Sequence, residues 1–139
     1  MTKSLEIPMF QPRPRPKFKR EGSNVVAYYD QDLTPVREAL ATQWDGAPLS
    51  GKVALEAEFR VALPKRVSKA RRAAMLAGEI GPKCGAGKTA SDYLRAVLDC
   101  LPGVVVQDDR NVVLITGRMC YAEIAGATLR VGEAQFLAM

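Results

Sequence analysis

The sequence predicts one mixed domain of the α+β class, a small sheet packed with two or three helices. Two stretches carry that expectation. Lys52–Leu63 alternates between apolar and polar residues, the mark of a strand with one buried and one wet face. Ala90–Leu101 places Leu94, Val97, Leu98 and Leu101 on one stripe, the mark of an amphipathic helix. Shorter strands and helices are interleaved around them. A chain of 139 residues is long enough to close a real core as one domain.

In order, Leu5–Phe10 is apolar enough for a first strand. Residues 11–23 form a basic arm in which Pro12, Pro14 and Pro16 alternate with Arg13, Arg15 and Lys17. Proline fixes φ and pushes the preceding residue towards extended backbone, so the cations project from a stiff extended segment. Phe18 adds a stacking surface. Asn24–Tyr29 reads as a second strand. Asp30 and Asp32 fit turn and cap duty better than ligand duty. Thr34 as N-cap, Pro35 at the first helical position and Glu38 three residues on open a helix striped by Val36, Leu40 and Trp44. Asp45-Gly46 ends it, and Pro64 ends the long strand.

Residues 64–88 combine a basic, alanine-rich helix, Ser68–Ile80 with Ser68 as cap, and a flexible loop, GPKCGAGK. The loop ends in a phosphate-loop-like GKT. However, Gly81 and Gly87 are separated by five residues rather than four, and a helix precedes them where that mechanism needs a strand. Residues 89–109 form a helix–turn–strand unit. Asp92, Arg95 and Asp99 share the polar side of the helix, Pro102-Gly103 breaks it, and Val104–Val106 reads as a buried strand ending at Asp108-Asp109. Val112–Cys120 and Gly126–Val131 read as the last strands.

Composition excludes several chemistries. The chain has no histidine, and its three cysteines, Cys84, Cys100 and Cys120, are scattered. A Cys/His zinc site and His-based acid–base catalysis are therefore not expected. No apolar run approaches the ~20 residues of a membrane span, and no secretory signal opens the chain, so a cytoplasmic location is expected. Net charge is +5, but it is unevenly spread. Residues 11–20 hold five basic residues, residues 60–72 hold six, and neither segment holds an acid. The other 116 residues carry nine basic against fifteen acidic groups. Two basic segments on an acidic body point to a polyanion, with phosphate the obvious one. Adjacent acids at a strand end, near an acid at a helix start, fit a magnesium site; a plain turn explains Asp108-Asp109 equally well.

QPRPRPKFKR, SKARRAAMLAGEI and LRAVLDCLPGVVVQDDRNVV, in that order, resemble the RusA family of Holliday-junction resolvases, common in phages and prophages. They are similar to its Pro/Arg-rich N-terminal segment, its basic helix after the long strand, and its helix, Asn-Gly turn, strand and Asp-Asp pair. The likeness runs over nearly the whole chain, 1–139. It implies a homodimeric endonuclease of DNA recombination and repair, in a bacterium or a phage-infected cell. Such an enzyme binds four-way DNA and nicks paired strands with Mg2+, or Mn2+ in its place. A two-fold dimer suits a substrate of near two-fold symmetry. DNA contacts would come from Arg13, Arg15, Lys17, Lys19, Arg20, Lys65, Arg66, Lys69, Arg71, Arg72 and Lys88.

The chain departs from the family at the helix start, where the pattern is Asp-x-Asp-Asn, then two residues, then lysine. Anchored on Ala96–Asp99, Arg95 takes the lysine position, Asp92 the asparagine, Ser91 the second aspartate and Thr89 the first. A one-residue gap would put Asp92 at the second aspartate and Ala90 at the first. At least one metal acid is gone either way. Two expectations follow. In one, Asp92, Asp108 and Asp109 hold the metal, Asp109, Asp92 and Arg95 are catalytic, and nicking persists. In the other, the chain is a weakened or inactive relative, without a metal, that binds branched DNA or serves in an assembly. An RNA-binding accessory role is the outside alternative.

Overall fold

A computed structural model describes residues 2–8, 17–28, 33–82 and 89–134. In chain order its elements are β1 (Thr2–Ile7), β2 (Lys17–Glu21), β3 (Asn24–Tyr28), α1 (Thr34–Gln43), β4 (Val53–Ala62), α2 (Lys69–Leu76), α3 (Ala90–Cys100), β5 (Val112–Ala122) and β6 (Gly126–Glu133). A short 3-10 turn, Asp109–Asn111, leads into β5. Three helices and a mixed four-stranded sheet give the α+β class that the alternation predicts.

The sheet runs in the order β1-β6-β4-β5. β6 is antiparallel to both β1 and β4, whereas β4 and β5 are parallel. Parallel neighbours need a long crossover, and residues 63–111 supply it with α2 and α3. β2 and β3 pair antiparallel as a separate two-stranded sheet.

The alternation in β4 decides which face is covered. Val53, Leu55, Ala57 and Phe59 are buried, with Leu5, Ile7, Leu129 and Val131 of the neighbouring strands. Val36 and Leu40 of α1 and Tyr93, Val97 and Cys100 of α3 close the same core. Burying a large apolar side chain contributes roughly 1.5–3 kcal/mol, so these residues dominate the fold's stability. Phe59 and Tyr93 pack ring to ring at 5.1 Å, fastening α3 to β4. The opposite face is a lattice of charge pairs. Arg60 meets Glu6 at 2.8 Å and Glu58 at 3.7 Å, Arg118 meets Glu58, and Arg130 meets Glu56 at 3.3 Å.

Several expectations need correction. Val104–Val106 is not a strand. The Leu101 carbonyl accepts from the amides of Val104, Val105 and Val106, and Gly103 turns the chain at φ 82. Val105 and Val106 are nonetheless fully buried, which is why they look like a core strand in sequence. Leu33, not Thr34, occupies the N-cap of α1; Thr34 and Pro35 already lie inside the helix. α2 stops at Leu76 rather than Ile80, because Gly78 at φ 83 reverses the chain and the Glu79 amide turns back to the Ala74 carbonyl. The first strand is Thr2–Ile7, β5 and β6 run two residues beyond expectation, and β2 was missed because its residues alternate without a clear apolar face. Phe10, Arg13, Arg15, Tyr29, Asp30, Asp32 and Lys88 lie outside the described residues, as does most of the Gly81–Lys88 loop. No helix among the described residues is long and apolar enough to cross a membrane.

Gly117 sets how closely α3 approaches β5. A Cβ there would fall 2.6 Å from Leu94 Cδ1 and 3.0 Å from Leu94 Cγ. Overpacking of this kind typically costs ~1–3 kcal/mol, which outweighs the ~0.4–1 kcal/mol gained by stiffening the unfolded chain. Gly117→Ala should therefore destabilise the protein by about 1 kcal/mol in urea unfolding. The same change in a Leu94→Ala background should cost little or nothing, and equal losses in both backgrounds would refute the close approach.

Candidate nucleic-acid interface and acidic site

The start of α3 is built by a reciprocal cap. Thr89 is the N-cap, and its Oγ1 accepts from the Asp92 amide at 3.3 Å. Asp92 Oδ2 accepts in return from the Thr89 amide at 3.0 Å and from Thr89 Oγ1 at 2.7 Å. The spacing T-x-x-D produces this directly, since the third residue of the first turn reaches back to the cap. The negative charge also suits the positive end of the helix. Asp92 thus has a structural partner at the position where a metal-binding role is expected. Ser91 and Arg95 are exposed on the same helix, and Asp99 lies a turn beyond, its carbonyl accepting from Arg37 Nη2 at 3.0 Å.

Asp108 is also held locally. It caps the 3-10 turn, with Oδ1 accepting from the Arg110 amide at 2.9 Å. The Arg110 guanidinium closes on both its oxygens, Nε to Oδ1 at 3.2 Å and Nη2 to Oδ2 at 3.0 Å. Asn111 completes the arrangement. Its Oδ1 accepts from the Asp108 amide, and its Nδ2 donates to the Ser50 carbonyl, both at 2.9 Å. The turn is thereby tied to the segment before β4. The Arg110 guanidinium, then its backbone amide, then the neighbouring Asp109 carboxyl hold the Asp108 carboxyl far below the usual carboxylate range. The same contact pushes Arg110 upward. Asp109 stands next in the turn, with its side chain exposed.

Sequence reasoning missed Arg110 and Asn111. The signal was available: Asp108-x-x-Asn111 has capping spacing, and an arginine two residues after an aspartate can fold back onto it. Among the described residues, no three histidine, cysteine, aspartate or glutamate side chains come together in a way that could hold a metal ion. Asp92 is engaged in a cap and Asp108 is clamped by a cation, whereas Asp109 is exposed; Thr89 and Ser91 carry no charge to offset a divalent ion.

The cations divide into two groups. Those on the outer sheet face are neutralised by glutamates, and Arg60 belongs there despite opening the basic run in sequence. Arg72 of α2 pairs with Glu123 at 2.6 Å, and Lys19 of β2 pairs with Glu21 at 3.1 Å. Arg20 is exposed beside Lys19, and Lys17 opens the same strand. Lys65, Arg66, Lys69 and Arg71 are exposed, and no carboxylate among the described residues pairs with them. Ser68 caps α2 by accepting from the Arg71 amide at 3.2 Å, which organises this group around one helix start.

A basic helix and an acid-bearing turn thus lie on one crossover of a small α+β domain. The family model of endodeoxyribonuclease RusA matches residues 9–132, and the chain belongs to that family. Holliday-junction resolution is the family's general activity; its nucleases are generally dependent on a divalent metal, and its members bind branched DNA. A search of curated proteins found no match.

Two outcomes check the local geometry. Thr89→Ala and Asp92→Ala should each destabilise the protein by about 1 kcal/mol in urea unfolding, and the double variant should cost clearly less than the sum. Additive losses would mean the two side chains act separately. In the second test, Arg110→Ala should return the Asp108 carboxyl, followed by NMR titration, to within about a unit of the ordinary ~3.9. A carboxyl titrating lower when folded stabilises the fold fully above that ordinary value, and the contribution is lost as pH falls below it. Arg110→Ala should therefore remove stability at neutral pH and none at the acid end of the titration.

Proposed function

We propose that this chain binds branched, four-way DNA as a RusA relative whose strand-nicking activity is weakened or lost. The observation that carries the reading is the Thr89–Asp92 cap, which gives Asp92 two hydrogen bonds within its own helix start. Threonine and serine at the flanking positions bring no charge to offset a cation's. Binding rests on different residues. Lys65, Arg66, Lys69 and Arg71 present a group of exposed cations without carboxylate partners among the described residues, with Lys17, Lys19 and Arg20 on the hairpin as a second basic segment. Phosphate contacts of this kind fix register and give a salt-dependent affinity.

A homodimer fits the same reading. Gln43 covers the edge of β1, its Oε1 accepting from the Glu6 amide at 2.7 Å and its Nε2 donating to the Glu6 carbonyl. β5, at the other edge, pairs with β4 alone among the described strands and exposes Val113, Leu114 and Ile115. An uncovered apolar edge invites a further strand. A second copy there would bring two equivalent basic clusters to a two-fold substrate. Sedimentation should show a dimer that Ile115→Asp converts to a folded monomer. A wild-type monomer at micromolar concentration would sink the dimer.

The deciding assay is a labelled four-way junction incubated with the protein, with and without magnesium or manganese. Tight, junction-selective binding is expected, with few or no metal-dependent nicks. The variant Thr89→Asp/Ser91→Asp/Asp92→Asn restores the family's helix-start pattern and should gain nicking that Asp109→Asn removes. Robust nicking by the wild-type chain, abolished by Asp109→Asn, would overturn the weakened reading in favour of the resolvase with a rebuilt metal site. No preference for junction over duplex would overturn both.

A further inference from the structure

A cavity of about 400 Å3 lies between the crossover and β5, on the side of the sheet that carries the helices. Its wall is apolar and polarisable. Tyr93 comes from α3, Met75 from α2, and Met119 and Tyr121 from β5. Among the described residues its charged lining groups are Arg66 and Arg71, both exposed and without carboxylate partners there. A hollow of similar size on the outer sheet face differs sharply, because its arginines are matched by Glu56 and Glu58.

This combination selects an occupant with a flat apolar body and an attached negative charge. A nucleotide has that chemistry. Its base has two π faces that stack on tyrosine rings and thioethers, and its phosphate answers a guanidinium. An apolar side chain from a second copy would fill the hollow but leave two arginines unanswered. The volume lies in the range of small-molecule pockets, roughly 300–1,000 Å3, and is open enough for entry from outside. We propose that this cavity seats one unstacked base of the bound nucleic acid, with Arg66 and Arg71 gripping the phosphates on either side. The proposal rests on the reading that the chain binds branched DNA, and it assigns Arg66 and Arg71 a role beyond non-specific attraction. Bases at a branch point are the easiest to unstack, so the seat supplies selectivity for structure. Because the wall offers stacking rather than a row of hydrogen-bonding groups, it discriminates weakly among the four bases.

The test uses the full chain and two probes, a four-way junction with 5-iodouracil at the exchange point and a single strand with the same label. Binding is followed by fluorescence anisotropy, and crosslinks formed under long-wavelength light are mapped by mass spectrometry. Crosslinks are expected at Tyr121 or Met119, the partly exposed wall residues, with both probes; Tyr93 and Met75 form the buried floor. Val67→Trp, which fills the cavity from its wall, should abolish them and weaken single-strand binding roughly tenfold, with duplex binding unchanged. Tyr121→Ala should weaken it similarly, and thermal melting checks that both variants fold. Tight junction binding with crosslinks mapping elsewhere would overturn the seat and leave the branched-DNA reading standing. Crosslinking in the cavity by the single strand, without preference for the junction over duplex, would support the seat and sink that reading. Loss of dimer in Val67→Trp without any cavity crosslink in the wild type would assign the hollow to a second copy and overturn the proposal.

Discussion

The parallel pairing of β4 with β5 constrains everything else in this structure. Two parallel neighbours cannot be joined by a hairpin, so the chain must leave one end of the sheet and return to the other. Residues 63–111 make that journey, and the basic cluster, the capped start of α3 and the Asp108–Arg110 turn all lie on it. The crossover is held from three sides. Phe59 and Tyr93 fasten α3 to the sheet, Gly117 admits Leu94, and Asn111 ties the last turn to the Ser50 carbonyl. These contacts position the acid-bearing turn and the start of α3 independently of whether the acids can hold a metal.

The acids themselves serve the fold as well as any site. Asp92 and Asp108 each occupy a capping position, and each satisfies backbone amides that would otherwise lack partners. A carboxylate in such a position stabilises its turn whether or not a metal is nearby. Thr89 in turn makes a well-formed helix start, since threonine is itself a good cap. Stability and catalysis make different demands on the same short stretch, and here the residues satisfy the first.

Much of the fold was legible in the sequence because period and length agreed. Lys52–Leu63 alternates over enough residues to leave no ambiguity, and the observed β4 differs by one residue at each end. The stripe of Leu94, Val97, Leu98 and Leu101 marked α3, and the observed helix, Ala90–Cys100, ends one residue short of the expected Leu101. Val104–Val106 was misread because burial and strand geometry are separate properties, and a three-residue apolar run reports only burial. At the site, residue types were legible and pairings were not. Asp108 and Asp109 looked equivalent in sequence, yet Arg110 closes on the first and leaves the second exposed. That difference depends on the 3-10 turn, which follows from backbone geometry more than composition.

The same reasoning applies to the cations, where counting charge and locating it give different answers. In sequence, Arg60 and Arg72 belong to one basic run with Lys65, Arg66, Lys69 and Arg71. In three dimensions, strand alternation sends Arg60 to the outer face, among glutamates of β1 and β4. Arg72 reaches Glu123, and the remaining four stay unpaired among the described residues. An exposed ion pair contributes little to stability, typically 0–1 kcal/mol, so the paired arginines gain little from their partners. Their larger effect is on the electrostatic field, because each pair cancels its own contribution at a distance. What remains among the described residues is a group of unpaired cations around the start of α2, beside the aromatic cavity, with exposed Arg20 on the hairpin as a second basic position.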